Sequence, residues 1–219
     1  MNLIKNSNFK WCIGCGLYAL FNYLIQSIPK NTVVVSGIGC TGRVTQHLNL
    51  DAVHTPHGRA IPVAVGIKRA NPKLNVIVIS GDGDLQGIGG NHLIHAARRN
   101  EDITIICNNN QVLAMTGGQL SPTTKKGAIT KTSPKGNIYQ PLNIKSIITS
   151  NNHYFFATTT HMHKEHSINT IKKAIKHKGF SYIENISPCL IHYGKKNNLE
   201  NPTKINKKIK EIEVEIKWR

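Results

Sequence analysis

The chain has 219 residues, enough for one sizeable core with appendages, and carries a formal net charge of +17. No apolar run approaches the length of a membrane span, and the N-terminus lacks the apolar core and cleavage site of a signal peptide; a cytoplasmic location without membrane contact is expected. Nor does the charge imply nucleic acid: Lys, Asn and Ile make up about a third of the chain, a bias that AT-rich coding alone produces, Lys far outnumbers Arg, and no DNA- or RNA-binding motif is present.

The opening stretch WCIGCG places Cys12 and Cys15 in a C-x-x-C, a spacing that serves zinc, thiol redox chemistry or an iron–sulfur cluster. A helix-like segment follows over 16–28, and TVVVSGIGC (32–40) reads as a buried strand ending in a glycine-rich turn. RAIPVAVGIKRAN (59–71) suits a helix with Pro62 in its first turn. A strand over 74–80, a helix near 87–99 and a strand over 103–107 continue the alternation. It predicts an α/β fold, a doubly wound and mostly parallel sheet with both faces covered. From 116 to 141 the chain is dense in Gly, Pro, Ser and Thr without a sustained period, too long for an ordinary connection and expected to be a functional loop. YFFATTT and GFSYIENIS read as strands around the helix SINTIKKAIKHK. The expected organisation is one domain over 1–194 and a basic tail over 195–219 that contributes to partner contacts. Within the tail, Ile205, Ile209, Ile212 and Ile216 fit an apolar helical face, although EVEIKW also passes as a strand.

The chemistry concentrates where two apolar runs stop. VIVISGDGDLQGIGG (76–90) ends a strand on Gly-Asp-Gly-Asp, and ITIICNNNQ (103–111) ends the next on amides. In open α/β sheets ligands sit beyond the carboxyl ends of the strands. Gly81 and Gly83 let backbone N–H groups approach an anion, and the following helix N-terminus adds positive partial charge. Asp82 repels a phosphate, so a cation has to lie between them; magnesium, a hard ion with oxygen ligands, suits the place, and Asn110 offers a neutral amide oxygen. The separation, 110 − 82 = 28 residues, is one strand–helix–strand excursion back to the same edge. Each half alone reads as a turn or a loop.

This pairing resembles the thiamine diphosphate motif, which implies that Asp82, Asn110 and the backbone carbonyl of Val112 bind magnesium. Cys40 in GIGCTGR and Cys189 in ISPCL raise the available thiols to four, from three segments, whereas Cys107 inside ITIICN reads as a buried, inert core residue. On count alone four thiols hold zinc as well as a cluster. Cys40, on a turn at the same sheet edge as Asp82 and Asn110, favours electron transfer beside the cofactor. WCIGCG, SGIGCTGR, HTPHGRAIPVAVGIKRANP, GDGDLQGIGGNHLIHAARRN, NNQVLAMTGGQLSPTT and AIKHKGFSYIENISPC together resemble the β subunit of 2-oxoacid:ferredoxin oxidoreductases, and most resemble the 2-oxoglutarate-type two-subunit branch.

The resemblance implies one [4Fe–4S] cluster on Cys12, Cys15, Cys40 and Cys189. It also implies thiamine diphosphate contacts from Ile38, Gly39, Cys40, Thr41, His57, Gly83, Asp84, Ala114 and Met115. The activity implied is oxidative decarboxylation of a 2-oxoacid to acyl-coenzyme A, with two single-electron transfers through the cluster to ferredoxin. The cofactor carries the chemistry, so no side chain is assigned a catalytic role. A pyrimidine-binding domain is missing from the sequence pattern and is expected on an α subunit. Pyruvate or a branched-chain 2-oxoacid is an alternative substrate. A non-redox thiamine decarboxylase or synthase would leave the four thiols without purpose, and a zinc-stabilised binding protein would leave Asp82 and Asn110 unexplained. The chain departs from the family pattern at Ile13, where Pro is usual, at Leu113-Ala114, where Tyr-Gly is expected, and in a short C-terminal part.

Overall fold

Runs of β-branched residues without polar alternation make strands covered on both faces, and this sequence folds accordingly. A computed structural model describes residues 3–199 and 201–219. In chain order the elements are α1 (Leu17–Ile25), β1 (Thr32–Ser36), α2 (Val44–His47), β2 (Asp51–His54), α3 (Ala60–Ala70), β3 (Asn75–Gly81), α4 (Gly90–Arg98), β4 (Thr104–Asn109), the short hairpin strands β5 (Val112–Leu113) and β6 (Gln119–Leu120), α5 (Ile144–Thr149), β7 (Phe155–Thr160), α6 (Lys164–Lys176), β8 (Ser181–Ile186), α7 (Pro202–Lys210) and β9 (Glu215–Trp218). Every residue of β1 and of β4 is buried.

The strand period sorts these buried side chains onto two faces. Val33, Val35, Val76, Val78 and Ile105 pack with apolar residues of α3, α4 and α5, while Val34, Ile77, Ile79 and Ile106 pack with those of α1 and α6. Each such side chain taken fully out of water contributes about 1.5–3 kcal/mol before conformational entropy is subtracted. The seven main strands run in the order β2-β1-β3-β4-β8-β7-β9, all pairs parallel except β7 with β9. The chain steps from β1 to one side for β2 and to the other for β3 and β4. The direction of winding therefore reverses between β1 and β3, and a crevice opens beyond their carboxyl ends.

Three elements differ from expectation. The helix near 87–99 starts only at Gly90; before it, Gly83–Ile88 form a wider π-helical turn, closed where Gly89 N donates to Asp84 O at 2.9 Å. β2 adds an unexpected edge strand, all four residues of which are exposed. In the tail, α7 is capped by Asn201, whose side chain accepts from Thr203 N, and it buries Ile205 and Ile209. It stops at Lys210, however, so Ile212 and Ile216 are not part of its face. Glu211-Ile212-Glu213-Val214-Glu215-Ile216 alternates with the strand period, and β9 pairs antiparallel with β7, setting Ile216 opposite Ala157. The segment from 195 thus supplies one edge of the same sheet.

Candidate active site

Four segments meet at the carboxyl ends of β1, β3 and β4. The turn after β1 carries Gly37 to Thr41. Gly37 has to be glycine: a Cβ there would stand 2.0 Å from an oxygen of the Asp84 carboxylate. Thr41 is 1% exposed, and its hydroxyl has no hydrogen-bond partner among the described residues. Such a buried, unsatisfied donor is costly unless a ligand meets it. After β2 come His57 and Gly58, and after β3 the Asp82–Asp84 turn. After β4, Asn110 and the positive-φ residue Gln111 (φ 67°) lead into the β5–β6 hairpin. These segments enclose a cavity of about 130 Å³ lined by Ile38–Thr41, His57, Gly81–Asp84, Asn110 and Val112–Thr116.

Asp82 is fully buried, and burial pushes its carboxyl above the usual range, against hydrogen bonds that favour the charged form. Its Oδ1 accepts from Asn110 N at 3.1 Å, and its Oδ2 accepts from the hydroxyls of Ser121 at 2.6 Å and Thr123 at 2.5 Å. Among the described residues no cationic side chain pairs with it. The single Thr123 proton is shared with Asn109 Oδ1 at 2.8 Å, and Asn109 Nδ2 donates to Glu184 Oε1 at 2.8 Å. Burial, with Asp82 nearby, pushes Glu184 upward too. Asn110 Oδ1 accepts from Val112 N. The sequence reading missed Ser121, Thr123 and Glu184. The signal for the first two was the SPTT run inside the long loop, which the structure folds back over Asp82.

Asp84 lines the cavity, and one oxygen of its side chain is turned to protein donors. Its Oδ1 accepts from His57 Nδ1, Gly58 N and Ile38 N, while its Oδ2 has no hydrogen-bond partner among the described residues.

A second cavity, of about 220 Å³, adjoins the first and is lined by Cys12, Cys15, Cys40 and Cys189. Close approach of the C-x-x-C turn to the β8 end requires Gly16, since a Cβ there would stand 2.2 Å from Ser187 Oγ. Trp11 Nε1 donates to Cys40 O at 2.9 Å and ties the C-x-x-C segment to the β1 turn. Cys189 Sγ accepts from His192 N at 3.4 Å. Burial pushes the Cys15 thiol up to about 11, with the Cys189, Cys12 and Cys40 thiols adding to the rise, and it raises Cys40 as well. No three His, Cys, Asp or Glu side chains among the described residues converge as the ligands of one metal ion. Cys107 lies apart, fully buried in β4 beside Gln86. Cys40, Asn110, Ala114 and Met115 line both cavities.

A cavity at the switch point of a doubly wound sheet, glycine turns facing it and a buried carboxylate on its floor define a diphosphate-binding domain. The family description "Thiamine pyrophosphate enzyme, C-terminal TPP binding domain" matches residues 37–185. The 2-oxoglutarate synthase subunit KorB of Methanothermobacter thermautotrophicus is 42% identical over 92% of this chain and 72% of its own length. The β subunit of the Saccharolobus solfataricus 2-oxoacid:ferredoxin oxidoreductase is 41% identical over 95% of this chain and 70% of its own. Among solved structures, the 2-oxoglutarate:ferredoxin oxidoreductase of Magnetococcus marinus, with 2-oxoglutarate, coenzyme A and succinyl-CoA bound, superposes with a TM-score of 0.80 at 32% identity. That match covers 85% of this chain and 66% of the other. The chain belongs to the family of 2-oxoacid:ferredoxin oxidoreductase β subunits.

Proposed function

We propose that this chain is the thiamine diphosphate-binding subunit of an enzyme that oxidatively decarboxylates 2-oxoglutarate to the acyl-coenzyme A and passes electrons singly to ferredoxin. The observation that carries the reading is the shared wall: four thiols line a cavity that has Cys40, Asn110, Ala114 and Met115 in common with the diphosphate cavity. Thiamine diphosphate bound there supplies the carbon nucleophile and electron sink for loss of carbon dioxide, and an iron–sulfur cluster supplies one-electron steps.

The donor set fits both groups. A buried Asp82 without a cationic partner calls for a positive ion. A magnesium held by the Asp82 carboxylate, the Asn110 amide oxygen and the Val112 carbonyl needs no convergence of acidic side chains. The unpartnered Thr41 hydroxyl, with Ile38–Cys40, His57, Gly83, Asp84, Ala114 and Met115, would surround the diphosphate. Burial raises the Cys15 and Cys40 thiols, with neighbouring thiols of the set adding to the rise, and iron would relieve that repulsion. Their spread around a cavity suits a cluster better than a single zinc ion, on which four thiolates must converge at about 2.3 Å.

Reaction at the thiazolium end also needs the aminopyrimidine to be held, and the seven-stranded sheet of the described residues is taken up with the diphosphate. An α subunit contributes that half of the site. The test is anaerobic reconstitution with the cognate α subunit, magnesium and thiamine diphosphate. Reduction of ferredoxin should require coenzyme A, should be fastest with 2-oxoglutarate and should be absent with this chain alone. Turnover by the isolated chain overturns the half-site reading; a preference for pyruvate corrects the substrate alone.

A further inference from the structure

We infer that Asp84 is a positioning residue, which knits the turns after β1, β2 and β3 into one diphosphate cradle and sets the His57 imidazole within it. The inference deepens the thiamine diphosphate reading and rests on it. A carboxylate is a poor neighbour for a diphosphate, so its presence on this turn needs another account. The geometry supplies one. A single oxygen, Asp84 Oδ1, accepts three donors from distant parts of the chain: His57 Nδ1 at 2.5 Å, Gly58 N at 2.8 Å and Ile38 N at 3.3 Å. The Asp84 side chain is 1% exposed, whereas that of His57 is 35% exposed at the cavity.

Two consequences follow from the chemistry of the pair. A carboxylate oxygen accepts, so the proton between them sits on Nδ1 of His57, and Nε2, across the ring, is the nitrogen left for the cavity. The ring orientation is fixed from behind, as a buried carboxylate fixes a ligating histidine from its far side. Moreover, the other Asp84 oxygen occupies the space that a side chain on Gly37 would fill, at 2.0 Å from a Cβ built there. The β1 turn and the Asp84 carboxylate therefore fit only while residue 37 has no side chain. Ile38 and His57, both at the cavity, thus owe their places to one carboxylate oxygen.

The experiment is a double-mutant cycle on cofactor binding. The magnesium-loaded complex with its α subunit is titrated with thiamine diphosphate by calorimetry, for wild type, Asp84→Asn, His57→Gln and the double variant. Each single substitution should weaken binding about tenfold, and the double variant should lie within about twofold of the weaker single, because one acts through the other. Gly37→Ala should weaken binding by a similar factor from the opposite side of the same contact. Wild-type affinity in Asp84→Asn, or losses that multiply in the double variant, would overturn the inference. ¹⁵N spectra of the histidines in the cofactor-free full chain give a readout independent of the cofactor. His57 should be protonated on Nδ1 in wild type and should lose that preference in Asp84→Asn; an unchanged tautomer overturns the role of Asp84. A wild-type complex that binds no thiamine diphosphate sinks the functional reading instead.

Discussion

The two ends of the sheet treat charge in opposite ways. At the amino ends of the strands, Lys68 Nζ sits 2.9 Å from Asp102 Oδ2, Gly179 N donates to Asp102 Oδ1, and Glu101 lies between Arg69 and Arg99. Burial there works to raise both carboxyls but is outweighed by these partners, so both are held below their ordinary values. At the carboxyl ends, Asp82 and Glu184 have hydroxyl and amide partners but no cation among the described residues, and burial raises both. Unsatisfied buried atoms gather at the same end: Thr41 Oγ1, Ser80 Oγ, Asp84 Oδ2, Gln111 Oε1 and Asn185 Oδ1. The amino ends pair their carboxylates within the chain, with His177 Nε2 buried there without a partner among the described residues, and the carboxyl ends hold more of the unpartnered polar atoms.

The sharpest way to break this contrast is at the thiols. Cys40→Ser and Cys189→Ser should each lose most of the iron of anaerobically purified protein, whereas Cys107→Ser, at a site already filled by protein contacts, should retain it. Equal iron in all three variants removes the second cavity from the ligand-demanding end. Asp82→Asn comes next. Thiamine diphosphate affinity in magnesium should fall about 100-fold, roughly 2.7 kcal/mol, and the ligand-free variant should melt higher than wild type at pH 7. The sign follows from the raised carboxyl: its stabilising form is the protonated one, present below the ordinary value of 3.8 and lost as pH rises through the raised value. A lower melting temperature at pH 7 would mean that Asp82 is satisfied without a cation. The smallest effect is expected at the opposite end. Asp102→Asn should cost about 0.5 kcal/mol at pH 7, since the pair is partly screened by solvent, and should leave cofactor affinity unchanged. For a depressed carboxyl the stabilisation is present above the ordinary value of 3.8 and lost as pH falls through the lowered one, so the two proteins should converge in acid.

What the sequence disclosed follows the same division. The buried strands β1, β3 and β4 were legible because each is a continuous apolar run that stops abruptly at glycine or amide residues. Asp82 and Asn110 were legible because a parallel crossover fixes how far apart two adjacent strand ends lie in the chain. β2 was not, since four exposed residues leave no apolar period to read. Ser121 and Thr123 escaped for a different reason. They act through hydroxyls set by a loop whose path depends on tertiary anchors, such as Asn137 Nδ2 donating to Thr124 O at 2.8 Å, and local pattern carries no record of these. The tail was ambiguous because its isoleucine spacing satisfies both periods; pairing with β7 decided between them.

β2 has one further bearing, on colloidal behaviour. It is hydrogen-bonded to β1 on one side only, so a lane of backbone donors and acceptors lies at this rim of the sheet, as one does beyond β9 at the other. Open lanes recruit extended chains, including copies of themselves. The net charge of +17 acts as the brake, a long-range repulsion that keeps copies from meeting edge to edge. That brake is only as strong as the buffer is dilute: the screening length shrinks from about 30 Å at 0.01 M to about 3 Å at 1 M. Concentrated salt, commonly added to keep basic proteins in solution, therefore removes the repulsion that shields this rim.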